Sequence, residues 1–130
     1  MSEEAKQATG AIAWVDLTVH DAPTIRDFCK AVVGWTDSAV RMGDYDGFRM
    51  NEPASGRTVA GVCHARGENA DLPPRWLIYA NVENLVASLA ACVQRGGKVL
   101  GSVRKMGTAG RYCVIEDPAG AAAALFEPGK

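Results

Sequence analysis

Long apolar runs are missing from this sequence. None approaches the roughly 20 residues that a bilayer-spanning helix needs, so no membrane-crossing helix is expected in it. Charge of one sign is missing as well: 14 basic and 15 acidic residues leave a net charge of −1. Spread along the chain, they build no field that would hold a phosphate backbone or an anionic membrane, so neither nucleic acid nor membrane is expected as a partner. Cys-x-x-Cys pairs are absent. Cys29, Cys63, Cys92 and Cys113 stand far apart, and free thiols acting as small hydrophobes are expected rather than a disulfide framework. Histidine is limited to His20 and His64, which makes the chain poor in metal ligands. There is no nucleophile elbow, P-loop, dinucleotide glycine fingerprint or zinc motif. The first ten residues are polar and acidic rather than signal-like, and a cytoplasmic placement is expected.

What the chain does have is a repeated order of elements, of α+β class. Two tandem βαβββ units are expected, at about 12–65 and 75–128, joined by a polar linker at 66–74 that ends in two prolines, the whole forming one domain of 130 residues. In the first unit Trp14 to Val19 alternate, so that Val15, Leu17 and Val19 point one way and Trp14, Asp16 and Thr18 the other. Asp21 and Pro23 signal a helix start. Ile25, Phe28, Cys29 and Val32 then recur at helical spacing, and Gly34 supplies the stop. In the second unit the strand from Trp76 to Val82 leads to Asn84 as a cap, then to Leu85, Leu89, Cys92 and Val93, and then to Gly96-Gly97. Each helix is followed by a short strand, a basic Met-Gly loop (Arg41-Met42-Gly43; Lys105-Met106-Gly107), an aromatic-bearing strand, a proline-glycine turn and a closing strand.

Paired units of this kind with a short Asp-Pro-x-Gly turn before the last strand resemble the vicinal-oxygen-chelate superfamily of glyoxalase, bleomycin-resistance and dioxygenase proteins. The residues that carry the resemblance are Trp14-Val15-Asp16-Leu17, Val33-Gly34-Trp35, Val59-Ala60-Gly61, and Glu116 to Ala121 leading to Leu125-Phe126-Glu127-Pro128. Cys29 departs from the pattern, since relatives often have an aromatic there. The resemblance implies two sheets sharing a concave cup, and in metal-using members four cup-facing His, Glu or Gln ligands. The matching positions here are Trp14, about Gly61, Leu77 and Ala124, none of which can coordinate a divalent metal through its side chain. No metal ligand and no cofactor are therefore expected, and a divalent metal is disfavoured.

The surface expected to line the cup comprises Trp14, Asp16, Thr18, Leu77, Tyr79, Asn81, Ala124 and Phe126. This is the mixture of apolar and aromatic walls with a few polar groups that small-molecule sites use. Asp16 is a candidate general base and Tyr79 a candidate hydrogen-bond donor, each with the alternative of a purely structural role. The loops around Arg41 and around Arg104, Lys105 and Arg111 either rim the cup and favour an anion or serve solubility. The leading expectation is a protein that binds a small organic molecule without a metal, as a homodimer. The alternatives are a metal-dependent lyase, isomerase or dioxygenase working through displaced ligands such as His64, Glu116 or Glu127, and a non-catalytic dimeric interaction module.

Overall fold

The computed structural model describes residues 8–66 and 70–129. The opening stretch 1–7 and part of the expected linker, 67–69, lie outside the described residues. The element order is β1 (Ile12–Val19), α1 (Ala22–Val32), β2 (Thr36–Arg41), β3 (Asp46–Asn51), β4 (Thr58–His64), β5 (Leu77–Asn81), α2 (Leu85–Gln94), β6 (Lys98–Lys105), β7 (Gly110–Glu116) and β8 (Ala122–Pro128). Strand, helix and three strands thus occur twice, which makes the class α+β. The chain forms two compact units, Val15–Trp76 and Met1–Trp14 with Leu77–Lys130. The first strand is therefore divided: its opening residues belong with the second half of the chain. Gly10 N–H donates to the Asn81 carbonyl at 2.8 Å and Asn81 N–H to the Ala11 carbonyl at 2.9 Å.

In the unit Val15–Trp76 the strand order is β2-β3-β4-β1, with β1 and β4 parallel and the other neighbours antiparallel. Asp21 starts α1 by accepting from the Thr24 backbone N–H and from the Thr24 hydroxyl, which satisfies one of the donors a helix start leaves open. Pro23 stands in the first turn, where its missing N–H costs nothing. Gly34 follows α1 at φ +91°, the left-handed conformation that glycine takes without a Cβ penalty. The core beneath α1 consists of Ala22, Cys29, Phe48, Met50, Ala60 and Val62, with Val19, Ile25 and Trp35 packed against it.

The expected buried stripe on α1 is therefore corrected in part. Ala22, Ile25 and Cys29 face the sheet, but Phe28 and Val32 are 58% and 65% exposed. At 3.6 residues per turn, positions 28 and 32 fall on the helix flank beside the buried 22, 25 and 29 row. A similar correction applies to α2, where Leu85 is buried and Leu89 and Cys92 are partly so, while Val93 stands exposed.

One irregularity interrupts this sheet. The antiparallel register of β3 and β4 pairs Phe48 with Val62, Arg49 with Gly61 and Met50 with Ala60, then slips so that Asn51 faces Thr58. Val59 is the extra residue of a β-bulge.

In the other unit the order is β5-β8-β7-β6. The pairs Tyr79–Ala124, Ala124–Val114 and Val114–Leu100 form one cross-strand row, and Asn81–Phe126, Phe126–Tyr112 and Tyr112–Arg104 the next. Helix α2, capped by Asn84 through the Ala87 N–H, lies over the alternate set. A cleft bounded by Ala91, Cys92, Ile115, Pro118 and Leu125 runs beneath it. Gly97 lets α2 close on the sheet: a Cβ there would stand 2.6 Å from Cys92 Sγ and 2.9 Å from the Glu116 carbonyl. No helix of the described residues is long and apolar enough to cross a membrane.

Candidate functional site

Directly paired residues on neighbouring strands share a face, so the registers decide which residues each sheet turns away from its helix. In Val15–Trp76, Leu17 pairs with Val62, a core residue under α1. Asp16 and Thr18 therefore lie on the opposite face, Asp16 against Gly61 and Thr18 against Cys63. Continuing across the sheet, Gly61 pairs with Arg49 and Arg49 with Ser38. One row of the helix-free face thus reads Ser38, Arg49, Gly61, Asp16.

A hydrogen-bonded chain backs this row. Thr58 Oγ1 donates to Asn51 Oδ1 at 2.8 Å, and Asn51 Nδ2 donates to Ser38 Oγ at 2.8 Å. Asn51 is buried, so its two partners remove most of the penalty for taking an amide out of water. Burial, with the Asp16 carboxylate as a second contribution, pushes the Cys63 thiol up to about 12.

In the unit with Leu77–Lys130, the helix-free face carries Leu77, Tyr79 and Asn81 of β5, Ala124 and Phe126 of β8, and Tyr112 of β7. Leu77, Tyr79, Asn81 and Ala124 are buried, whereas Ile78, pointing the other way from β5, is 40% exposed. The Tyr79 and Tyr112 rings meet at a centroid distance of 5.6 Å, tilted by 59°. Their strands are separated by β8, and Ala124 is small enough to let the two rings reach across it.

The structure therefore brings Leu77, Tyr79, Asn81, Ala124 and Phe126 together on one sheet face, and places Asp16 and Thr18 together on another. Trp14, half-buried, is grouped with the former unit. Tyr112 is not singled out by sequence alone, nor are Ser38, Arg49, Asn51 and Thr58. The alternation of Arg111 to Glu116 against Ala122 to Glu127 carries the signal for Tyr112. The others depend on a register that sequence does not give.

The displaced ligands of the metal-dependent alternative each have a partner within their own unit. His64 packs edge-on to Tyr45 at 5.5 Å. Glu127 accepts from Arg111 Nε at 2.8 Å through one oxygen and from the Leu85 N–H at 2.8 Å through the other, tying the start of α2 to the sheet end. Glu116 is paired with Lys98. Among the described residues no group of three or more His, Cys, Asp or Glu side chains is placed to hold a metal ion. Trp14, Gly61, Leu77 and Ala124, the positions expected to match the family's ligands, carry no side-chain donors that suit a divalent cation. Two of the loop cations are engaged within their own hairpins, Arg41 with Asp46 and Arg111 with Glu127.

The sequence model of the Glyoxalase/Bleomycin resistance protein/Dioxygenase superfamily matches residues 11–125, and the chain belongs to this superfamily. It is 30% identical over 130 residues to the "Putative glyoxylase CFP32" of Mycobacterium tuberculosis, covering 98% of this chain and 49% of that protein. It is 28% identical over 137 residues to the "Anthracycline biosynthesis protein DnrV" of Streptomyces peucetius, covering 94% of this chain and 48% of that one. The chain thus spans about half the length of these curated relatives. Among solved structures, methylmalonyl-CoA epimerase from Mycobacterium tuberculosis superposes with a TM-score of 0.55 at 18% identity, over 95% of this chain and 93% of that one. A Streptomyces coelicolor methylmalonyl-CoA epimerase variant in complex with 2-nitronate-propionyl-CoA gives 0.54 at 15% identity, over 95% and 100%. At these identities the likeness is one of fold.

Proposed function

We propose that this chain binds a small organic molecule against the helix-free faces of its sheets, without a metal at the position the superfamily uses. The observation that carries the reading is the Tyr79–Tyr112 ring pair beside Asn81 and Phe126. Aromatic walls with a few polar groups on a face that no helix covers are the composition of a small-molecule site. The donorless side chains at Trp14, Gly61, Leu77 and Ala124 support the metal-free part. The candidates for ligand contact are Tyr79, through its ring and hydroxyl, on the face of the unit with Leu77–Lys130, and Asp16, as an acceptor, on the face of Val15–Trp76.

The test has two arms. Ligand screening by NMR with a set of small aromatic compounds is expected to perturb the ring signals of Tyr79, Tyr112 and Phe126. A full screen that leaves these signals unmoved sinks the binding reading. Elemental analysis after dialysis against divalent ions is expected to find no stoichiometric metal in the wild type, with Trp14→His plus Ala124→Glu as the gain-of-site control. One tightly held metal per chain would overturn the metal-free part and make a glyoxalase-type enzyme the leading reading.

A cytoplasmic dimer belongs to the same proposal. The four free cysteines suit a reducing compartment. The exposed Phe28, Val32, Val86 and Val93 supply apolar surface that a second copy would cover. Light scattering coupled to gel filtration is expected to give twice the chain mass, and a monomer at all concentrations would refute the dimer.

A further inference from the structure

On the helix-free face of Val15–Trp76, Ser38 and Arg49 are a direct cross-strand pair, which places their Cβ atoms about 5 Å apart. Both are exposed. Phe48 and Met50, on either side of Arg49, are buried in the core beneath α1, so the Arg49 guanidinium is held on the other face. Among the described residues Arg49 has no ion pair, whereas Arg26, Arg41, Arg57, Arg66 and Arg111 each have at least one.

The chain of hydrogen bonds behind Ser38 has a direction. Thr58 donates to the Asn51 oxygen and the Asn51 nitrogen donates to the Ser38 oxygen. With its oxygen already accepting from Asn51, Ser38 keeps its own proton to donate outward. The row therefore presents two donors side by side, one of them a permanent cation with a fork suited to two oxygens. Gly61, with no side chain, separates this pair from Asp16. Two strand spacings of about 4.8 Å keep the backbones of Asp16 and Arg49 roughly 10 Å apart along the row. The negative end of a ligand is thereby directed to the Ser38 side.

We propose that Arg49 and Ser38 form an anchoring point for the carboxylate of a small molecule bound on the helix-free face of Val15–Trp76. The inference rests on the small-molecule reading of the previous subsection and names the class of ligand. Arg49 supplies the charge-assisted hydrogen bonds, Ser38 a second donor oriented by Asn51, and neither takes part in a bond-making step. Both are specificity determinants.

The test is an NMR titration of the full-length, 15N-labelled chain with benzoate and with benzamide, which matches benzoate in shape without its charge. Benzoate is expected to move the Arg49 Nε–H signal and the amides of β2 and β3 saturably. Its Kd should be at least about tenfold below that of benzamide, since hydrogen bonds between ions are roughly twice as strong as neutral ones. In Arg49→Gln the preference for benzoate should disappear, in Ser38→Ala it should fall, and in Arg57→Gln it should be unchanged. Equal affinities in the wild type, or an unaltered preference in Arg49→Gln, would overturn the proposal. Shifts confined to β5, β7 and β8 would also overturn it while leaving the small-molecule reading standing. Absence of any shift on either sheet, up to the solubility limit, would refute both.

Discussion

Tyr79 and Tyr112 face each other across β8 with their ring centroids 5.6 Å apart, and the residue of β8 paired with Tyr79 is Ala124. Ala124 is fully buried. A ring pair of this geometry is favourable beyond the area it buries, and it exists here because the strand between the tyrosines offers only a methyl group at Ala124.

Replacing that methyl group tests the arrangement. Ala124→Glu puts a carboxylate into a buried position between two rings, and it is expected to lower the unfolding free energy by more than about 2 kcal/mol in urea titrations. A variant as stable as the wild type would show that the rings leave room there. The gain-of-site control therefore needs its folding verified before its metal content is read.

The polar chain behind Ser38 is expected to contribute to stability as well as orientation. Asn51→Ala removes the acceptor of Thr58 and the donor to Ser38, and a loss of about 1–3 kcal/mol in chemical unfolding is expected, the range for a buried hydrogen-bonded group. Thr58→Ala, which removes one bond at a half-buried site, should cost less.

Thiol chemistry separates the four cysteines. Cys29 and Cys113 are buried, and burial pushes both thiols up. Cys63 and Cys92 are both partly exposed, yet Cys63, at about 12, holds almost no thiolate near neutral pH, and the thiolate is the reacting form. Mass spectrometry after mild alkylation at pH 8 should find Cys92 modified well before Cys63. The reverse order would contradict the placement of Cys63 beside Asp16.

Acid stability follows from the cap of α1. The Thr24 hydroxyl and then the Thr24 amide hold the Asp21 carboxyl below the usual carboxylate range. Because its folded pKa lies under the unfolded one, the stabilisation is present above the unfolded value and is lost as pH falls through the folded value. Asp21→Asn keeps an acceptor at the cap but does not titrate. The thermal-stability advantage of the wild type over this variant is expected at neutral pH and should vanish in acid. An advantage that grows on acidification would refute the assignment.

Much of the fold could be read directly from the chain. Asp21 and Asn84 start the helices at the expected places because short polar side chains before a helical spacing have one efficient use. Gly34 and Gly96 end them with φ of +91° and +92°, and the alternation of β1 and β5 separates Asp16 and Thr18 from Leu17, and Leu77, Tyr79 and Asn81 from Ile78, as the registers do. Helical spacing overstated the burial of Phe28 and Val32, since an apolar stripe does not reveal how far the sheet beneath it extends. Ser38, Asn51 and Thr58 were invisible for another reason. They are separated by 13 and 7 residues in sequence, and only the pairing of three strands makes them neighbours.

The bulge at Val59 decides that pairing. A sheet face is a two-beat rhythm, and a single inserted residue is a change of phase. Had β3 and β4 kept step past Met50 and Ala60, Asn51 would stand opposite a valine and Thr58 opposite Glu52. The skipped beat gives the asparagine an alcohol on either side. A deletion at position 59 would restore the even count and still leave Thr58 opposite Asn51, so the polar chain depends on that offset of one rather than on the valine itself.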